Sequence, residues 1–261
     1  MKTVKGLHLG FAISGSLLLV FIVMPLAGIL LDTSPAAFFN ALADPEVFSS
    51  IELTFRAAAI ATLLAALTGI PLAYLLARRS FRGKAVVEAL VNLPIIIPHV
   101  AAGIALLLVF GRRGLLGHNL EPLGIIFTDS LGGIVVGMLF VSLPYLVNLS
   151  RESFVLVDPE LERVALADGA SAWQAFWYVT LALSWRGVLG GALMMWARGI
   201  SEFGAVVILS YHPKIVPVLV FERFQGFGLA ASQPVAAVLI LVTLALFIIL
   251  RLALMPVPEL E

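Results

Sequence analysis

Long apolar runs alternate with short polar intervals along almost the whole chain. Six runs, at 9–31, 54–77, 90–110, 131–149, 183–209 and 234–254, are each about 20 residues or longer, enough for an α-helix to cross a hydrocarbon core of about 30 Å. The pattern predicts an all-α polytopic membrane protein, a single domain over 1–261 with six transmembrane helices. The run at 9–31 is longer than the apolar core of a signal peptide and has no obvious cleavage site close behind it, so it reads as a span. Pro94 and Pro98 lie in the third run, where they bend or break a helix and free carbonyls; broken backbone of that kind can line a pathway. The fifth run is the least clean, because Arg186, Arg198 and Glu202 interrupt it.

Composition agrees with this class: 61% of residues are hydrophobic, only 12% are charged, and mean hydropathy is +1.08. Sixteen basic residues balance sixteen acidic ones, so nothing in the charge points to a nucleic-acid partner. Cysteine is absent, which removes disulfides, thiolate metal sites and cysteine nucleophiles together. Lysine and arginine set orientation through the short loops. Lys2 and Lys5 precede the first span, and Arg78, Arg79, Arg82 and Lys84 crowd the 78–89 loop, whereas 32–53 has no lysine or arginine, only Asp32, Asp44, Glu46 and Glu52. With six spans, both termini and the 150–181 segment are expected in the cytoplasm.

Within that segment, residues 158–181 are a polar stretch hinged on one glycine. Asp158 suits a helix N-cap and Pro159 the first helical position, with Glu160 and Glu162 favourable near the positive helix end. Leu161, Val164 and Ala165 form an i, i+3, i+4 stripe. Gly169 stands where a left-handed residue ends the helix, and Ser171 can cap a second one carrying Trp173, Phe176 and Trp177. On pattern alone this is either an amphipathic interfacial connector or a docking surface for a partner in the water phase.

Arg198 near the middle of the fifth run is costly in lipid, about 2.5–3.5 kcal/mol on an insertion scale. Glu202 follows one turn later, so the two can pair, with Ser201 beside them. The pair reads first as a neutralised structural element and second as an aid to an anion's passage. A rival from another class takes Gly199-Ile200-Ser201-Glu202 as a serine-hydrolase string with His99 as base, which would leave 158–181 without a purpose. A passive channel or scaffold is a third class and needs no nucleotide-binding partner. His99 itself reads as a satisfied polar side chain. Asn148 reads as interhelical glue, and the G-x-x-x-G pairs at Gly133/Gly137 and Gly187/Gly191 as close packing. Tyr211-His212-Pro213-Lys214 opens an outer loop whose I-V-P-V-L-V-F run can dip into the bundle.

The string G-A-S-A-W-Q-A-F-W-Y-V-T-L resembles the EAA loop of ABC-importer permeases, whose pattern is E-A-A, three residues, Gly, nine residues, then Ile/Val-x-Leu-Pro. Aligned on Gly169, the E-A-A positions fall on Arg163, Val164 and Ala165, and the end on Val179, Thr180, Leu181 and Ala182, so the family's Glu and Pro are both replaced. P-L-A-Y-L-L-A-R-R-S-F-R-G-K (71–84), N-L-P-I-I-I-P-H-V-A-A-G-I-A-L-L-L-V-F-G (92–111) and W-A-R-G-I-S-E-F-G-A (196–205) are similar to the molybdate/tungstate/sulfate branch of these permeases. The resemblance implies a homodimer, two cytoplasmic ATPase subunits and an extracytoplasmic solute-binding protein. It makes Glu160, Leu161, Arg163, Val164, Ala165, Gly169, Ala170, Ser171, Trp173 and Phe176 the coupling candidates. Pro94, Pro98, His99, Arg198, Ser201 and Glu202 are the pathway or gate candidates. The chain has no G-x-x-x-x-G-K-[ST] loop, so ATP and Mg²⁺ are expected on the partner subunit, with no cofactor or metal in this chain and no catalytic residue. The expected cargo is molybdate or tungstate, with sulfate or another small solute as the alternative.

Overall fold

The computed structural model describes residues 2–254, with side chains from 8 to 253. Lys2 and Lys5, which weigh in the orientation argument, have side chains outside the described residues. Every regular element among the described residues is helical. In chain order these are α1 (Lys2–Asp32), α2 (Pro35–Ala43), α3 (Pro45–Arg78), α4 (Lys84–Ile96), α5 (His99–Phe110), α6 (Gly117–Leu120), a 3-10 turn (Glu121–Leu123) and α7 (Leu131–Val155). They continue with α8 (Pro159–Ala167), α9 (Ala172–Ala175), a π-helical segment (Phe176–Leu181), α10 (Ala182–Ile200), α11 (Gly204–Leu209), α12 (Val216–Phe227) and α13 (Leu229–Leu254). Five helical stretches are long and apolar enough to cross a membrane, or six if the bent pair α4–α5 counts as one.

α3, α7 and α10 pack together as the centre of the bundle. The shared core is built from small residues of α3, Ala57, Ala58 and Ala61, against Ile134 and Met138 of α7 and Ile200 at the end of α10. Alanines on α3 let the three backbones approach closely where leucines would hold them apart. α2, α12 and α13 close a second core over Val47, Val216, Leu219 and Val238. α1 is apolar all round and exposed over its span, the pattern of a helix whose surroundings are lipid or another apolar surface rather than its own chain.

Two of the apolar runs are broken. The run 90–110 is divided at Ile97–Pro98, and α4 and α5 meet there at 113°. Pro98 cannot donate a backbone hydrogen bond and holds the residue before it extended, so Ile97 has ψ 144° and the helix stops. The run 183–209 is not one helix either. Its helix begins earlier, continuous from Ala172 through the π segment, and ends at Ile200; after Ser201–Phe203 the chain restarts as the six-residue α11. Arg198 therefore stands in the last turn of α10 rather than mid-helix.

α3 gives a ruler for the molecule. Its 34 residues span about 50 Å, well beyond a bilayer core, so both its ends emerge. Asp44 and Glu46 mark one end and Arg78 the other.

Candidate functional site

At the Arg78 end lies the segment 158–181. Asp158 caps α8, its Oδ1 accepting from the Glu160 N–H at 2.9 Å. Gly169 then turns the chain with φ +95°, and Ser171 and Gln174 form a reciprocal capping box on the next helix, with Gln174 Oε1 accepting from the Ser171 N–H at 2.8 Å. α8 buries no residue completely. Leu161, Val164 and Leu166 are 46%, 57% and 46% exposed, and Trp173 is 67% exposed, so this segment presents an apolar surface next to a charged one. Arg163 is exposed and pairs with Glu160. Ala165 and Ala170 are half-buried against the body. Phe176 belongs elsewhere: it is buried, stacked edge-on against Tyr74 at 4.9 Å and near Phe154, so it supports the segment from beneath instead of forming its outer surface. Its ring still neighbours that of Trp173, 5.9 Å away and one turn earlier, so Phe176 joins the exposed tryptophan to the buried aromatic cluster.

The second concentration of polar groups sits where the two broken helices face each other. His99 begins α5 and Glu202 lies in the gap between α10 and α11. Glu202 is completely buried. Its Oε1 accepts from the Ala205 N–H at 2.8 Å, which caps the start of α11, while Oε2 lies 2.9 Å from His99 Nδ1 and 3.0 Å from Arg198 Nη2. The last two are close polar contacts rather than aligned hydrogen bonds. Arg198 also reaches the His99 ring, 2.8 Å to Nδ1, and donates to Ser201 Oγ at 3.2 Å. Gly204 makes this possible: a Cβ there would lie 2.7 Å from the Cβ of His99, so only glycine lets α11 come this close to α5. Gly199, one residue beyond Arg198, faces Ala58 of α3. That sets the node about 18 Å along α3 from Glu46 and about 30 Å from Arg78, towards the Glu46 end.

Pro94 is buried within α4 and Pro98 is exposed at the bend; Pro98 places His99 at the node, and Pro94 does not reach it. Ser201 is exposed, and its hydroxyl donates to the Arg198 carbonyl at 3.0 Å. Among the described residues no His99–Ser201 contact forms, and the imidazole is taken by Arg198 and Glu202, so the nucleophile–base pair of a serine hydrolase is not assembled. Asn148 donates to Asn92 at 2.6 Å, joining α7 to α4.

One cluster is not among the sequence-predicted site residues: Glu162, Arg78, Tyr74 and Thr180. Glu162 accepts from Arg78 Nε at 2.8 Å, from the Tyr74 hydroxyl at 3.0 Å and from the Thr180 hydroxyl, with the Arg78 and Glu162 side chains only 9% and 13% exposed. Arg78 and Tyr74 lie in a motif that carries the family likeness, and nothing in the local pattern links them to a carboxylate 84 and 88 residues on.

At the opposite end, Arg223 of α12 bonds Asp44 at 2.7 Å and Glu46 at 3.1 Å, and Lys214 bonds Glu222 at 2.6 Å and Glu46 at 3.2 Å. The Arg223 guanidinium holds the Asp44 carboxyl below its usual range, and Lys214, with help from the Tyr211 hydroxyl, does the same for Glu222. Val216 of α12 donates to the buried Thr54 hydroxyl at 3.0 Å, and Ile215, Val218 and Leu219 are buried beside it, so the I-V-P-V-L-V-F run does enter the bundle.

A membrane bundle with two interrupted helices at a buried charge node, and a capped surface segment at one end, has the architecture of a transport component. The chain belongs to the family of binding-protein-dependent transport system inner membrane components, whose model matches residues 69–255. It is thus the multi-pass permease subunit of an ABC importer and not itself an enzyme. It is 41% identical to the molybdate/tungstate transport system permease protein WtpB of Thermococcus kodakarensis, over 92% of this chain and 93% of that one. It is 32% identical to the sulfate transport system permease protein CysT of Synechocystis, over 90% and 85%. Its fold matches a crystal structure of a bacterial ABC transporter involved in the import of the acidic polysaccharide alginate. That match has a TM-score of 0.74 at 15% identity and covers 99% of this chain and 100% of that one.

Proposed function

We propose that two copies of this chain enclose a pathway for molybdate or tungstate, driven by two cytoplasmic ATPase subunits that hold the ATP and Mg²⁺ and dock on 158–181. The observation that carries the coupling part is the exposed apolar pair Leu161 and Val164, one turn apart on α8, with the exposed Trp173 on α9, both helices being capped by side chains. A rigid helix lying in a cleft on a moving partner transmits motion to the spans behind it, as alternating access requires. The cargo rests on the likeness to the archaeal molybdate/tungstate permease, which exceeds that to the sulfate permease. In this orientation both termini, the 78–89 loop and 158–181 are cytoplasmic, and the end with Asp44, Lys214 and Arg223 faces the solute-binding protein. The His99–Arg198–Glu202 node then lies on the outer side of the midplane, where it fixes the outer mouth of the pathway.

The test is calorimetry on the solute-binding protein that co-purifies with the chain or is encoded beside it, followed by uptake of labelled molybdate, tungstate and sulfate by the assembled complex in proteoliposomes. Tight molybdate or tungstate binding with ATP-dependent uptake is expected. Selective sulfate binding and uptake establishes the second reading, which the sulfate-permease likeness favours.

A further inference from the structure

α8 is held to the body by one carboxylate. None of its apolar side chains is buried, and Arg163, at the position of the family's Glu, faces water. The acid that does bond inward is one residue earlier, about 100° round the helix. Glu162 gathers donors from two other elements: Arg78 and Tyr74, one turn apart at the end of α3, and Thr180 in the π segment that runs into α10. Both helix dipoles favour the arrangement, since Arg78 stands in the last turn of α3 and Glu162 in the first turn of α8. Arg78 has no second acid to turn to, its Nη2 being buried without a partner. Beneath the cluster Tyr74 stacks edge-on against Phe154 and Phe176, which fixes the hydroxyl that Glu162 receives.

We propose that Glu162, Arg78, Tyr74 and Thr180 form a stiff joint that ties α8 directly to α3 and to the start of α10, so that a push on α8 moves those helices as one body. The proposal rests on the reading of 158–181 as the ATPase-docking segment. Without the joint, the covalent link from α8 towards α10 runs through Gly169, whose left-handed turn has open space around it and can absorb a displacement. Glu162 and Arg78 are positioning residues here: they touch no substrate and act by fixing the direction in which α8 can move.

Hydrogen exchange on the full chain in nanodiscs tests the joint without any partner. Glu162→Gln keeps the shape and removes the charge, and amides of residues 159–167 are expected to exchange about tenfold faster, the effect of losing one charge-assisted hydrogen bond, while α3 and α7 are unchanged. Thr180→Val, which leaves the ion pair, gives a smaller acceleration and serves if Glu162→Gln does not fold. Exchange at the wild-type rate in both variants overturns the joint. In the complex with its ATPase, Glu162→Gln is expected to retain ATPase binding and hydrolysis but to lower the solute imported per ATP hydrolysed. Faster exchange with a wild-type import ratio overturns the mechanical role. Val164→Asp separates the underlying reading: ATPase binding that survives it removes the docking surface itself, whatever Glu162 does.

Discussion

Replacing Glu202 by leucine takes the centre out of the node. The completely buried carboxylate faces Arg198, whose side chain is 21% exposed, and His99, 35% exposed, and it caps α11 through Ala205. Glu202→Leu leaves the arginine without its acid in a largely desolvated place, which costs about 3–5 kcal/mol. Loss of the cap adds about 1 kcal/mol. Arg198→Met is expected to cost less, about 2–3 kcal/mol, because His99 and the Ala205 amide still face the carboxylate. In the double variant no charge is stranded, so only the cap and part of the packing are lost, about 1–2 kcal/mol. The cycle should therefore be strongly non-additive, with the double variant more stable than Glu202→Leu. Denaturant unfolding of the four proteins in detergent micelles, read by tryptophan fluorescence, gives the cycle, and uptake in proteoliposomes gives function. Additive single costs would refute the reasoning, because they would mean that Arg198 and Glu202 do not compensate each other. A stable double variant with normal uptake would remove the pair from the pathway and leave it a purely structural lock.

Three further outcomes are expected. Gly169→Val should cost about 1–2 kcal/mol through its positive φ alone, since no neighbour lies within 4 Å of a Cβ there; the chain should insert normally yet lose ATPase association or transport, and full transport would sink the coupling role of the turn. Single cysteines at Ser171 and Ser34, introduced into a chain that has none, should react with an impermeant thiol reagent from inside and outside respectively; labelling of position 171 but not 34 from outside inverts the topology. The Asp44 and Glu222 carboxyls are held below their ordinary values of 3.8 and 4.5, so their contribution is complete above those values and is lost as pH falls through the lowered ones. A spin-label distance between α2 and α12 should be constant from about pH 7 to about pH 5 and lengthen only in stronger acid, and lengthening already at about pH 5 would contradict this.

The spans were legible because hydrophobicity along a helix is a local property: a run of about 20 apolar residues needs no knowledge of its neighbours. The breaks were legible only in part. Pro98 announces its own bend, since proline removes a donor wherever it stands. The break after Ile200 has no such signal. Ser201, Glu202 and Phe203 interrupt the helix because Glu202 finds a better use for its carboxylate on the Ala205 amide, His99 and Arg198, and His99 is 99 residues from Arg198 in the chain. An i, i+4 acid–base pair looks the same on a continuous helix and across a helix end, so the pairing could be read but not the break.

The same limit divides the surface segment. Its caps and its glycine turn are written within four residues of themselves, and Asp158, Gly169 and Ser171 act where the spacing places them. Which side of α8 faces the body is another matter, because the decisive partners of Glu162 on α3 lie 84 and 88 residues away. Reading the apolar stripe as the inward face is the natural inference for a soluble helix, but here it points the wrong way. In a chain whose interior is already filled by apolar spans, a greasy stripe gains little by turning inward, whereas a carboxylate that can meet an arginine, a tyrosine and a threonine at once gains from charge-assisted bonds shielded from water. Glu162 thus orients α8, and Leu161 and Val164 are left exposed.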